Sequence, residues 1–256
     1  MTILFGFSLV AIGLIVGTLA GILGLGGGVF LVPILVALGF SPLNSVATSS
    51  VPVFISASSA IIAHLRSGQL KLPRAIRIGI VAAIAAQGGV QLAHFVNGRV
   101  LLGLFSLFLL TNIVLMRLRK KAQNASSPQN QSQALRAWHW GEIVTGFLGG
   151  VFSGFFGVGG GVIMVPLLVL LQGEPLKSAV RTSMAVVLVS SISSVAGHSL
   201  SGSVLWNAGL LLAAGSLVGA QIGVALLPKF PESMVRKLFV LMLAILAAYT
   251  LSKAIF

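Results

Sequence analysis

The stretch GTLAGILGLGGGVFLVPIL occupies residues 17–35, and it recurs as GVFSGFFGVGGGVIMVPLL at residues 150–168. Seven positions are identical at an offset of 133 residues: Gly17, Gly21, Gly24, Gly26, Gly27, Gly28 and Pro33 match Gly150, Gly154, Gly157, Gly159, Gly160, Gly161 and Pro166. After one inserted residue the match continues at an offset of 134 residues, pairing Thr48 and Ser49 with Thr182 and Ser183, His64 with His198, and Gln87 with Gln221. The chain is therefore an internal duplication, and its fold has to be interpreted as two related halves.

The composition indicates a membrane protein. The chain has 256 residues, of which 57% are hydrophobic and only 7% are charged. A soluble domain carries roughly 25% charged residues, and a disordered chain needs low hydrophobicity, so both classes are excluded. The formal charge of +13 does not indicate nucleic-acid binding, because the basic residues form short clusters between long apolar runs, as in the cytoplasmic loops of membrane proteins. The absence of cysteine excludes disulfides and thiol chemistry.

Apolar runs divide the chain into ten predicted helical segments, five in each half. They cover residues 3–23, 29–40, 44–65, 74–96 and 100–118, and then 141–156, 162–171, 178–200, 205–227 and 234–255. A spanning helix needs about 20 residues, and the segments 29–40 and 162–171 are too short for this. The apolar N-terminus lacks a positive leader region and is interpreted as a retained first helix. The first repeat is predicted over residues 1–118 and the second over residues 141–256, separated by a polar, basic linker at 119–140.

The distribution of charge predicts that the two halves are inverted in the membrane. The loop after the third segment is basic in the first half (Arg66, Lys71, Arg74 and Arg77) and has no Lys or Arg in the second. The next loop has one basic residue in the first half, Arg99, and three in the second: Lys229, Arg236 and Lys237. By the positive-inside rule, the basic linker is cytoplasmic, both termini are outside, and each half crosses the membrane an odd number of times. Five crossings satisfy this condition, as do three helices plus a re-entrant hairpin.

The central glycines predict a break in a helix, since a helix interior disfavours Gly by roughly 1 kcal/mol per residue against Ala. A half-helix that starts at such a break offers free N–H groups and a positive dipole end. Paired breaks of this kind are typical of anion sites in inverted-repeat transporters, so we predict that Gly26, Gly27 and Gly28 with Gly159, Gly160 and Gly161 bind an anionic group. Close helix packing is the alternative, and it is the favoured interpretation of the outer glycines, Gly17, Gly21, Gly150 and Gly154.

Polar residues that follow the breaks are further candidates. The hydroxyls of Thr48, Ser49, Thr182 and Ser183 complete the predicted site, or else bond carbonyls of their own helices. Arg181 either faces the substrate cavity or lies at the interface beside Lys177. His64 and His198 are candidates for proton coupling, against an interfacial hydrogen-bonding role.

Several absences argue against catalysis. The chain has no Asp, and Glu142, Glu174 and Glu232 fall at predicted helix ends or in loops, so a carboxylate proton relay has no candidate. No GxSxG or HExxH pattern occurs. We therefore expect no enzyme activity, no metal and no cofactor.

The duplicated G-xxx-G-xx-G-x-GGG-xxxx-P element, followed by Ala47-Thr48-Ser49 and Arg181-Thr182-Ser183, resembles the TauE/SafE family of sulfite and organosulfonate exporters. The resemblance covers nearly the whole chain outside the linker. It implies a transporter of small sulfur-containing or carboxylate anions in the bacterial cytoplasmic membrane, with seven to nine crossings, so that two of the ten segments are re-entrant.

The sequence thus predicts an all-α polytopic membrane protein with two inverted repeats of about five helical segments each. Its expected function is the transport of a small anion (sulfite, sulfonate, thiosulfate or a small carboxylate) by alternating access at a midplane site between the two glycine breaks. A passive anion channel and a non-transporting scaffold are the alternatives. The expected partners are the anion and the bilayer, with a homo-oligomer as an option and no nucleic acid.

Overall fold

The structure is a computed structural model that describes residues 3–66, 72–123 and 131–255, and these residues form helices with no β-strand among them. The helices are α1 (Ile3–Leu23), α2 (Gly28–Ala37), α3 (Pro42–Arg66), α4 (Leu72–Phe95), α5 (Gly98–Gln123), α6 (Gln131–Phe156), α7 (Gly161–Gln172), α8 (Leu176–Leu200), α9 (Trp206–Leu226) and α10 (Glu232–Ile255), with a 3₁₀ turn at Leu227–Lys229 before α10. The prediction of an all-helical fold is confirmed.

Seven helices of the described part are long and apolar enough to cross a bilayer, which makes the chain a multi-pass membrane protein. They correspond to α1, α3, α4, α5, α8, α9 and α10. The short segments α2 and α7 have 10 and 12 residues and fall below that length, as predicted.

Helices α5 and α6 extend into the predicted linker, to Gln123 and from Gln131. The flanking sequences RLRKKAQ and QSQALRAW consist mostly of good helix formers, so the helical backbone continues beyond the apolar run. Residues 124–130 of the predicted linker, and Lys71 in the loop before α4, lie outside the described residues.

The halves interlock, because α1 packs against α9 and α6 packs against α4. Both contacts run through small residues four positions apart. Gly13 faces Leu212, Gly17 faces Ser216 and Gly21 faces Ala220, while Gly146 faces Ile78, Gly150 faces Ala82 and Gly154 faces Ala86. A Cβ at Gly17 would lie 2.6 Å from the Cα of Ser216, so the two backbones approach this closely only with glycine. The prediction that the outer glycines pack helices is confirmed.

The same contacts give the directions of the helices. Residue numbers rise together in both contacts, so α1 runs parallel to α9 and α6 runs parallel to α4. The starts of α3 and α9 lie together, since the Leu205 N–H donates to Thr48 Oγ1 at 3.0 Å. The start of α8 lies at the end of α9, since Lys177 Nζ donates to the Pro228 carbonyl at 3.1 Å. The equivalent helices α3 and α8 therefore run in opposite directions, which is compatible with inverted halves.

These directions define two ends of the helix bundle. We call the end at which α4, α6 and α8 begin and α9 ends the linker face. The other end, at which α3, α5 and α9 begin, is the opposite face. Helix α2 leads from the centre of the bundle to the opposite face, where α3 begins at Pro42, and α7 leads to the linker face, where α8 begins at Leu176.

Candidate functional site

Each half contains a break between a long helix and a short one, and both breaks have the same backbone. Three glycines in each break have positive φ: Gly24, Gly26 and Gly27 in the first, and Gly157, Gly159 and Gly160 in the second. The residues that directly precede α2 and α7 are Gly27, with φ 86°, and Gly160, with φ 73°. L side chains rarely adopt this conformation, so glycine is the favoured residue where the chain turns into the short helix.

Both short helices begin with backbone N–H groups that have no backbone acceptor among the residues that the structure describes. In α2 the first N–H groups that reach a backbone carbonyl within the described part of the chain are those of Phe30 and Leu31, which donate to the Gly27 carbonyl at 3.1 and 3.3 Å. In α7, Ile163 and Met164 donate to the Gly160 carbonyl at 3.2 and 3.1 Å. The preceding N–H groups of each helix therefore form a positive end without a side-chain cap.

The two breaks lie directly against each other. A Cβ at Gly28 would lie 2.5 Å from the Gly157 carbonyl oxygen, and one at Gly161 would lie 2.5 Å from the Gly24 carbonyl oxygen. Two symmetry-related valines on α3 and α8, Val53 and Val187, pack against Gly26 and Gly159 and are fully buried. The predicted site glycines are thus brought together in the core of the fold, in an arrangement closed by these two valines.

Serine hydroxyls join the halves at the breaks. Ser49 Oγ donates to the Gly157 carbonyl at 2.9 Å, and Ser183 Oγ donates to the Gly24 carbonyl at 2.9 Å. Each also lies 2.8 Å from a carbonyl of its own helix, which is one of the two predicted interpretations. A role of these hydroxyls in anion binding stays a prediction. Each half therefore supports the break of the other.

A second pair of serines bonds the break within its own half. Ser56 Oγ lies 3.0 Å from the Gly26 carbonyl, and Ser190 Oγ lies 3.2 Å from the Gly159 carbonyl. The candidate site predicted from the sequence did not include these serines. Their spacing of 134 residues, which is the offset of the repeat, is the signal that identifies them as a pair.

The two threonines hold connections between helices. Thr48 Oγ1 accepts from the first residue before α9, and Thr182 Oγ1 donates to Glu174 Oε2 at 3.3 Å. Thr48 therefore lies at the opposite face and Thr182 toward the linker face. Both hydroxyls are occupied in this arrangement.

Arg181 lines a cavity of about 260 Å³ at the linker face, together with His64 and Gln221. Its Nε is buried and has no hydrogen-bond acceptor among the described residues. His198, which matches His64 in the repeat, lies at the opposite face. Its Nε2 is 2.9 Å from the Gly154 carbonyl, and its ring contacts that of His94.

A buried ion cluster joins three elements at the linker face. Arg74 of α4 binds Glu142 of α6 at 3.0 Å and also binds Glu174, which lies between α7 and α8. Arg77, which is more than half exposed, reaches Glu142 at 3.2 Å. Two of the three carboxylates in the chain are therefore used in ion pairs, and no group of His, Cys, Asp and Glu that could hold a metal occurs in the part of the chain that the structure describes.

Comparison with known proteins identifies the family. The profile described as "Sulfite exporter TauE/SafE" matches residues 9–250, which is nearly the whole chain. The chain belongs to the TauE/SafE family. No solved structure matches it.

Curated relatives of this TauE/SafE chain are named as transporters. A "probable membrane transporter protein YunE" from Bacillus subtilis is 27% identical over 97% of this chain and 98% of its own length. A "probable membrane transporter protein" from Xylella fastidiosa is 28% identical over 93% and 91% of the two chains. A third, MJ0441 from Methanocaldococcus jannaschii, carries the same description and is 30% identical over 72% and 68%. The resemblance inferred from the glycine element is confirmed, and the chain belongs to a family of membrane transporters.

Proposed function

We propose that this TauE/SafE protein carries a small anion across the bacterial cytoplasmic membrane by alternating access. The substrate class is a sulfur oxyanion such as sulfite, a sulfonate or thiosulfate, or a small carboxylate. The observation that carries the proposal is the pair of short helices whose uncapped N-termini meet in the core. Two converging positive ends in a low-dielectric region attract an anion without requiring a charged side chain.

In this proposal the N–H groups around Gly26–28 and Gly159–161 bind the anionic group, and Arg181 adds positive charge on one side. Ser49 and Ser183, whose hydroxyls bond the breaks in the present arrangement, would add hydroxyls to the site. The valine pair Val53 and Val187 closes the space between the breaks in the present arrangement. Movement of one half against the other would then open the site to one side at a time.

The site is tested by Gly27→Asn. Asn tolerates positive φ and is a preferred residue at a helix N-terminus, so its side-chain oxygen can accept the N–H groups at the start of α2 in place of an anion. The atoms nearest to a Cβ at position 27 would be side-chain carbons of Val16 and Ala20, at 3.2 and 3.4 Å, and the Val16 carbonyl oxygen is 3.8 Å away. The fold is therefore expected to be retained. Gly160 is a poor choice for this test, because a Cβ there would clash with the backbone carbonyl of Gly149.

We expect wild-type protein in proteoliposomes to take up one of radiolabelled sulfite, thiosulfate, ethanesulfonate or acetate with saturation. Gly27→Asn should reduce this uptake at least 10-fold while the protein stays monodisperse. The control is Gly103→Ala on α5, where a Cβ meets nothing within 4 Å. Wild-type uptake by Gly27→Asn would refute the site, non-saturating flux in wild-type protein would indicate a channel, and absence of any anion flux would refute the proposed function.

A further inference from the structure

The cavity of Arg181 is built differently from its symmetry-related region at the other end of the bundle. It lies between the end of α3, the start of α8 and the end of α9, and His64, Arg181 and Gln221 are its polar lining residues. The remaining lining, such as Val224 and Leu227, is apolar. The guanidinium of Arg181 and the carboxamide of Gln221 offer several N–H donors to one ligand in an otherwise apolar wall, and the imidazole of His64 lies beside them.

The charge of this cavity is positive. Glu142 and Glu174 at the same face are bound to Arg74, and none of the eight lining residues is acidic. The buried Nε of Arg181 has no acceptor in the described part of the chain, and a buried donor without an acceptor destabilises the structure that contains it. An oxyanion would satisfy this donor and the charge together, because guanidinium groups bind planar and tetrahedral oxyanions with charge-assisted hydrogen bonds.

The symmetry-related region at the opposite face has an uncharged residue at the position of Arg181. The repeat places Ala47 where the second half has Arg181. Its histidine, His198, contacts the Gly154 carbonyl, and its glutamine, Gln87, donates to Ser193 at 2.8 Å. The cation is therefore present at one face only, although the rest of the polar set is duplicated.

The cavity is also next to the first glycine break. Arg181 is two residues before Ser183, whose hydroxyl donates to the Gly24 carbonyl, and a Cβ at Gly24 would lie 2.9 Å from the Cα of Val180. An anion held by Arg181 would lie beside the route to the core. We propose that the cavity of His64, Arg181 and Gln221 is a second oxyanion site, a one-sided vestibule at the linker face that loads the central site. The loading role rests on the proposed function, whereas oxyanion binding at this cavity does not.

The binding experiment uses purified full-length protein and ³⁵S-sulfite, measured by equilibrium binding in nanodiscs. We expect Arg181→Gln to weaken sulfite binding at least 10-fold and Arg181→Lys to restore part of it. The matched control is Lys237→Gln, which removes the same charge from an exposed position on α10 near the linker face. Equal sulfite affinity in wild-type and Arg181→Gln protein, or no sulfite binding by wild-type protein, would overturn the inference.

A transport arm separates the vestibule from the proposed function. In oriented proteoliposomes, Arg181→Gln should raise the half-saturating sulfite concentration at least 10-fold when sulfite is added at the linker face. When sulfite is added at the opposite face, the increase should be less than about twofold. If the wild-type protein transports sulfite and Arg181→Gln changes the half-saturating concentration equally from both faces, the one-sided vestibule is overturned and the transporter proposal stands. Loss of wild-type flux with retained Arg181-dependent sulfite binding would overturn the transporter proposal and the loading role, and would leave the oxyanion site standing.

Discussion

At the scale of single residues, the core of this protein depends on serine hydroxyls that bond carbonyls exposed by the glycine breaks. A break leaves carbonyl groups without helical donors, and in a membrane protein these groups have no water to bond. Ser49 and Ser183 bond the breaks across the two halves, while Ser56 and Ser190 do so within a half. The duplicated serines therefore stabilise the unusual backbone that the proposed site requires.

Ser49→Ala is expected to lower the stability of the protein by about 1 kcal/mol, because it leaves the Gly157 carbonyl without its hydroxyl donor. Ser50→Ala is the matched control, since the neighbouring Ser50 is equally buried and, among the described residues, its hydroxyl bonds the Ala47 carbonyl of its own helix and no group of the other half. Thermal unfolding in detergent measures both variants. Equal unfolding temperatures for the two variants would contradict the role assigned to the bond between the halves.

At the scale of elements, the ion pairs found among the described residues all lie at the linker face. Arg74, Glu142 and Glu174 are each less than a tenth exposed and join α4, α6 and the connection between α7 and α8. The positions equivalent to these three in the repeat are occupied by uncharged residues, such as Ala208 in place of Arg74. The cluster therefore restrains the end of α7, whereas the equivalent positions in the repeat offer no such charges at the end of α2.

Arg74→Gln should destabilise the protein by about 3–5 kcal/mol, because it removes the cation that binds two buried carboxylates. Arg77→Gln should change stability by less than about 1 kcal/mol, because the Arg77 side chain is 58% exposed. Unfolding by denaturant in mixed micelles compares the two variants. A cost for Arg77→Gln as large as that for Arg74→Gln would show that burial does not govern the cluster.

At the scale of the whole molecule, the two halves are interlocked rather than stacked side by side. Each first helix packs along the fourth helix of the other half, α1 on α9 and α6 on α4, through glycine and other small residues. Neither half buries its first helix by itself. We therefore expect the halves to move as a mixed body, with the rocking units drawn from both repeats.

The predicted orientation can be tested directly because the chain contains no cysteine. Pro231→Cys lies just before α10, near the linker face, and Ser201→Cys lies just after α8 at the opposite face; both positions are exposed. In intact cells, a membrane-impermeant maleimide should label Ser201→Cys, whereas Pro231→Cys should react only after permeabilisation. The reverse pattern would show that the linker face is outside and that the charge bias was misinterpreted.

The membrane class, the short helices, the paired breaks and the family of this protein are determined by its amino-acid sequence alone. Apolar content determined the membrane class, and run lengths predicted the two short helices, because a bilayer sets a minimum span. The repeat with its glycine element predicted the paired breaks and the family, because glycines at fixed spacing indicate a backbone conformation that other residues rarely adopt. The outer glycines were correctly assigned to packing.

Other features depend on which helices lie side by side, and a sequence pattern does not encode this directly. The partner of each serine, the burial of Arg74 between two carboxylates, and the meeting of the two breaks became visible only once α3, α4, α6 and α8 were packed together. The same is true of Arg181, which the sequence left between a cavity and an interface. The cavity around Arg181 is lined mostly by residues of α3 and α9, which are far from Arg181 along the chain. Only the tertiary contacts therefore decide what this cation faces.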